Sequence, residues 1–100
     1  MWKQEKDNRS GVIINLKYED FAQIEVIKRA NSNGIFEYEV NFHIEDVTDQ
    51  SIVAYKISDV TKVLENVKPM IEDLYDDFDS YSEKDIYLFL DDFVETINDF

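Results

Sequence analysis

Phe36-Glu37-Tyr38-Glu39-Val40-Asn41-Phe42-His43-Ile44-Glu45 decides the fold. Phe36, Tyr38, Val40, Phe42 and Ile44 take alternate positions, with Glu37, Glu39, Asn41, His43 and Glu45 between them. A strand turns successive side chains to opposite faces, so this period of two predicts a strand with one buried and one wet face. Just upstream, Asn31-Ser32-Asn33-Gly34 offers residues that tolerate the positive φ of a tight hairpin. Before the hairpin, Ile24 and Val26 alternate with Gln23 and Glu25, which predicts a second strand over 21–30. Glu19-Asp20 reads as a turn, and Val12, Ile14, Leu16 and Tyr18 share one face of a further strand opened by Gly11. Residues 1–10 are polar around an isolated Trp2 and read as a flexible arm or a short edge segment. Residues 46–50 read as a loop, and Ser51–Ile57 fits either a fourth strand or the lead-in to a helix.

From Ser58 the period changes. Val60, Val63, Leu64, Val67, Ile71, Leu74 and Phe78 follow helical spacing, with Ser58 as the expected N-cap. Pro69 falls inside this run, and because the stripe keeps its register across it, a kink is expected rather than a break. Ser80-Tyr81-Ser82 interrupts. Ser82 with Asp85 three residues on resembles a capping box, opening a second helix striped by Ile86, Phe89, Leu90, Phe93, Val94 and Ile97. Ile71–Phe78 and Ile86–Phe93 share an Asp-Asp-Phe ending fifteen residues apart, so each helix presents an Asp pair at the same offset from its apolar stripe. The expected architecture is α+β and a single domain over 1–100. A three- or four-stranded antiparallel sheet (11–57) precedes two C-terminal amphipathic acidic helices (58–100) packed on one face.

The chain has 100 residues, 44% of them hydrophobic and 14% aromatic, enough for one packed core. It has no cysteine, which excludes disulfides and thiolate metal sites. The opening MWKQEKDNRSG lacks the apolar core of a signal peptide, and no apolar run approaches the roughly 20 residues that cross a bilayer. The lone His43 is expected on the polar face of its strand. No Gly-rich phosphate loop, H-E-x-x-H or G-x-S-x-G occurs. Carboxylates are abundant, but acid–base catalysis needs a pocket that separates their pKa values. The chain is therefore not expected to be an enzyme. An EF-hand frame started at Asp77 puts Ser82 where Gly belongs and Leu88 where the bidentate Glu belongs, so no metal or other cofactor is expected.

Charge is distributed unevenly. Of a net −13, residues 69–100 carry −10, with eleven carboxylates against the single base Lys84. Large apolar residues are interleaved throughout, which separates this segment from a disordered acidic tail. Asp76, Asp77 and Asp79 crowd the end of the first helix, where the macrodipole disfavours anions by about 0.3–1 kcal/mol each at low salt. Glu83 and Asp85 sit at a helix start, where anions are welcome. Glu72, Asp73, Asp76, Asp77 and Asp79 span about 10–12 Å of helix by its rise per residue. Duplex DNA carries roughly six or seven phosphates over that length, so the charge densities are comparable. Such a surface fits a Lys/Arg groove meant for nucleic acid. The expected partner-binding residues are Glu72, Asp73, Asp76, Asp77, Asp79, Asp91, Asp92 and Glu95.

Strands joined by an Asn/Gly hairpin, then two acidic, aromatic helices in a chain near this length, resemble the small phage-encoded type II-A anti-CRISPR proteins. The likeness covers the layout of residues 22–97. That family places a short helix before the sheet, whereas residues 1–18 here read as an arm and a strand. The resemblance implies a DNA mimic that binds guide-loaded Cas9 where it reads the PAM duplex. The expected function is thus a non-enzymatic phage or mobile-element inhibitor that fills the basic groove of a defence nuclease, with Cas9 foremost. It would act in the host bacterial cytoplasm as a monomer or homodimer, without contacting nucleic acid or membrane. The same electrostatics would serve an immunity protein or antitoxin covering a basic nuclease toxin. A third reading is a structural or assembly protein whose acidity only confers solubility.

Overall fold

The computed structural model describes all 100 residues. Five strands form an antiparallel meander in the order β1-β2-β3-β4-β5, followed by helices α1 and α2. The strands are β1 (Trp2–Gln4), β2 (Val12–Tyr18), β3 (Ala22–Ala30), β4 (Phe36–Ile44) and β5 (Thr48–Ala54). The fold class is the α+β arrangement expected, with five strands in place of three or four. Both additions lie at the edges. Trp2–Gln4 pairs with Leu16–Tyr18, so of the two readings of residues 1–10 the short edge segment is the one that forms there. Thr48–Ala54 pairs with β4 in unbroken register, which settles Ser51–Ala54 as strand and moves Thr48–Gln50 out of the expected loop.

The β3–β4 hairpin forms where Asn31-Ser32-Asn33-Gly34 placed it. Gly34 has φ +75°, and its N–H donates to the Asn31 carbonyl at 2.9 Å. The Asn31 side-chain oxygen accepts from the backbone N–H groups of Asn33 and Ile35, so one amide closes the turn twice over. Gly11 is needed for a different reason. Its φ is +84°, and a Cβ there would stand 2.9 Å from the Lys28 carbonyl oxygen.

The alternation in β4 is borne out: Val40, Phe42 and Ile44 are buried against the helices, while Glu37, Glu39, Asn41 and His43 face away. Ile24 and Val26 of β3 and Ile52 and Ala54 of β5 extend this core row by row. Phe36 and Tyr38 share the face, but Phe36 lies beyond the helical layer and is covered instead by the Lys28 ammonium, 4.4 Å from its ring centroid.

Helix α1 (Ile57–Asp76) runs unbroken through Pro69, with Val67 and Ile71 fully buried on either side. It starts two residues earlier than an N-cap at Ser58 would place it. Lys56 is the N-cap, and no side chain satisfies the first N–H groups. After a 3₁₀ turn (Phe78–Ser80), helix α2 (Glu83–Ile97) opens with the expected capping box. The Ser82 N–H donates to Asp85 Oδ2 at 2.9 Å, and the Asp85 N–H donates to Ser82 Oγ at 3.2 Å. Phe93 is fully buried and meets Phe42 edge to face at 5.6 Å, locking α2 to the sheet. Burial of each such side chain contributes about 1.5–3 kcal/mol.

Candidate functional site

The acid-rich end of α1 is held in place by aromatic packing. Trp2, Tyr18, Tyr75, Phe21 and Phe78 form a continuous chain of ring contacts with centroids 5.1, 5.4, 5.2 and 5.3 Å apart. Each pair adds about 0.5–1.5 kcal/mol beyond its buried area. This chain ties β1, β2 and the β2–β3 turn to the last turn of α1. The carboxylates of Asp76, Asp77 and Asp79 therefore ride on a fixed platform.

The eight expected residues do not form one patch. A shallow groove runs along the seam of α1 and α2. One stretch of it is lined by Asp77, Asp85 and Asp92 with Tyr81, Leu88 and Phe89. The next is lined by Asp92, Glu95 and Asp99 with Asn66 and Met70. Asp92 belongs to both stretches, so the carboxylates follow one line. Asp85 and Asp92 are seven residues apart on α2, about 10.5 Å of helix, and Asp99 follows just past the cap of that helix. Asp73 is four residues before Asp77 and so on the same side of α1.

Glu72 and Asp76 lie instead on the flank of α1 facing β2. Burial pushes the Tyr18 phenol above its ordinary 10.0, and the nearby Asp76, Glu72 and Glu19 carboxylates add to the shift. Asp79 is exposed on the 3₁₀ turn, and Asp91 is exposed on α2, one residue round from the groove. Two acids outside the expected set also line the groove: Asp99, and Asp85 at the start of α2. Asp85 does cap, and hydrogen bonds from the Ser82 backbone and side chain hold its carboxyl below the ordinary 3.8. Yet it also lines the groove beside Asp77. That proximity bears on the dipole argument too, because the positive end of α2 offsets part of the cost of Asp77 at the negative end of α1.

The pairing of charges divides the molecule in two. Five ion pairs and the two contacts of His43 with Glu45 and Asp49 all lie within residues 1–49. On the outer face of the sheet Arg9 bridges Asp7 and Glu25, Asp7 and Gln23 both bond the buried Asn15, and Asn41 links Glu25 to Ser51. Arg9 holds the Asp7 carboxyl far below the ordinary carboxylate range. His43 lies between Asp49 and Glu45, which raise its pKa above 6.5. Among the eleven carboxylates of residues 69–100, by contrast, Asp85 alone accepts a hydrogen bond, and none has an ion-pair partner. The sheet pairs many of its acids within the chain; the helical seam leaves its carboxylates without ion-pair partners.

No group of three His, Asp or Glu side chains converges as a metal site. No helix is long and apolar enough to cross a membrane. Compared with protein-family models, with curated proteins and with solved structures, the chain has no match.

Proposed function

We propose that this chain is a nucleic-acid mimic whose α1–α2 seam occupies the basic groove of a nucleic-acid-binding protein. The observation that carries the reading is the segregation of charge pairing. Arg9 and Arg29 pair with Asp7, Glu25, Glu37 and Glu39 of the sheet half, while Asp77, Asp92, Glu95 and Asp99 line the seam with no base to meet them. An array of fixed, unpaired carboxylates supplies the potential that steers a cationic groove onto it, much as a phosphate backbone does. The resemblance in layout to type II-A anti-CRISPR proteins makes guide-loaded Cas9 the first partner to test, in a phage or mobile-element inhibitor acting inside the bacterial cell.

The test is affinity capture from a nuclease-treated bacterial lysate, followed by elution with duplex DNA. A basic nuclease that DNA displaces is the expected result. Recovery of a nuclease toxin rather than Cas9 would keep the mimicry and move the protein to the immunity class. Bound material that neither DNA nor salt releases would overturn the proposal.

A further inference from the structure

The two edges of the sheet are unequal. β1 has only three residues, Trp2–Gln4, with Lys3 at its centre, and a bulge follows in β2 between Val12 and Ile14. Short strands, lysines and bulges are devices that keep edges from pairing with other chains. β5 has none of these. Thr48–Ala54 is seven residues long, pairs only with β4, and keeps its register without a bulge. It contains no proline, and its single charged residue, Asp49, is held by His43.

The backbone groups of β5 that point away from β4 have no partner in the chain. No turn, loop or side-chain hydrogen bond reaches the backbone of residues 48–54. Exposed apolar side chains lie on and just past this strand, with Val53 39% exposed in β5 and Tyr55 and Ile57 62% and 47% exposed on the way into α1. A row of free N–H and C=O groups beside apolar side chains is completed by another strand.

We propose that β5 pairs antiparallel with β5 of a second copy of this chain, joining two sheets into one of ten strands. Twofold pairing keeps opposed side chains on the same face, so a residue can face itself. The register that uses the whole strand centres on Ser51. It sets Ser51 opposite the second copy's Ser51, Asp49 opposite Val53, Gln50 opposite Ile52, and Tyr55 opposite Val47. No two like charges meet in that register. Along the strand itself no carboxylates are opposed, although α2, which packs on β5, brings its own acids towards the second copy of this chain of net −13. The neutrality of the edge is what favours self-pairing over capture of a charged foreign strand.

Sedimentation equilibrium of the full chain over a range of concentration and salt tests the inference. Because the two copies repel at long range, the dimer is expected to strengthen as salt rises. The acidic seam should respond to salt in the opposite sense, so failure of either idea can be read separately. Ser51→Lys and Ser51→Glu should each give monomers, although they change net charge in opposite directions, and mixing them should restore a one-to-one heterodimer. Circular dichroism of each variant confirms folding, because Ser51 is exposed and bonds only Asn41. A wild-type monomer under all conditions, or a dimer that survives both substitutions, would overturn the proposal. So would monomeric single variants that fail to associate when mixed.

Discussion

Asp77 and Asp92, fifteen residues apart in sequence and on different helices, line the same groove. Asp77 caps the end of α1 and Asp92 lies in the middle of α2. Neither has an ion-pair or hydrogen-bond partner for its carboxylate within the chain. The relationship separates what these residues do for the fold from what they offer a partner, and the two can be measured independently.

Replacing both by lysine should leave the fold intact and raise thermal stability slightly, because repulsion along the seam is relieved without loss of any contact. Differential scanning calorimetry at low salt checks this. A fall in Tm would show that these carboxylates stabilise the chain in some way absent from its hydrogen bonds.

The sheet should respond in the reverse sense. Asn15 is buried, donates to Asp7 at 3.0 Å and accepts from Gln23 at 2.8 Å. Asn15→Ala strands both neighbours and should cost about 1–3 kcal/mol in urea unfolding. Ser82→Ala, which removes the cap of α2, should cost about 1 kcal/mol. Phe93→Ala opens a cavity under Phe42 and should cost about 3–5 kcal/mol, enough to release α2.

The pH dependence has two parts of opposite sign. Asp7 and Asp85 have carboxyls held below their ordinary 3.8, so their contribution is full above that value and is lost as pH falls through their folded-state pKa values. His43 has a raised pKa, so its contribution is full below 6.5 and is lost as pH rises through the higher folded-state value. Thermal melts of wild type and His43→Gln across neutral to alkaline pH should converge as the imidazole loses its proton. Parallel curves would contradict the Asp49–His43–Glu45 arrangement.

The parts of this fold legible in sequence are those where a local pattern carries the physics. β4 shows its period of two, Asn31 and Gly34 mark the hairpin, and Ser82 with Asp85 marks the start of α2. The edges were harder. β1 offers one apolar residue in three, too few for a period, and its place comes from Trp2 packing on Tyr18 across the sheet. β5 opens on Thr48-Asp49-Gln50, polar residues that resemble a loop until register with β4 is imposed. The start of α1 at Ile57 left no side-chain signature, because Lys56 caps with its backbone alone. For the site, composition identified the acidic helices, but the sorting of Glu72 and Asp76 away from Asp77 and Asp92 depends on how α1 crosses α2. Asp85 reads as a cap and is one; that it also lines the groove beside Asp77 depends on how the two helices meet.

The central claim is that the seam substitutes for a nucleic-acid backbone, and the most direct measurement is competition for guide-loaded Cas9. Fluorescent PAM-containing duplex is titrated off by wild type, by Asp77→Lys/Asp92→Lys and by Glu72→Lys/Asp76→Lys at low and high salt. The account predicts displacement by wild type that weakens as salt rises, near-complete loss in the Asp77/Asp92 pair, and a smaller loss in the Glu72/Asp76 pair. Displacement undiminished in the Asp77/Asp92 variant, or indifferent to salt, would contradict it.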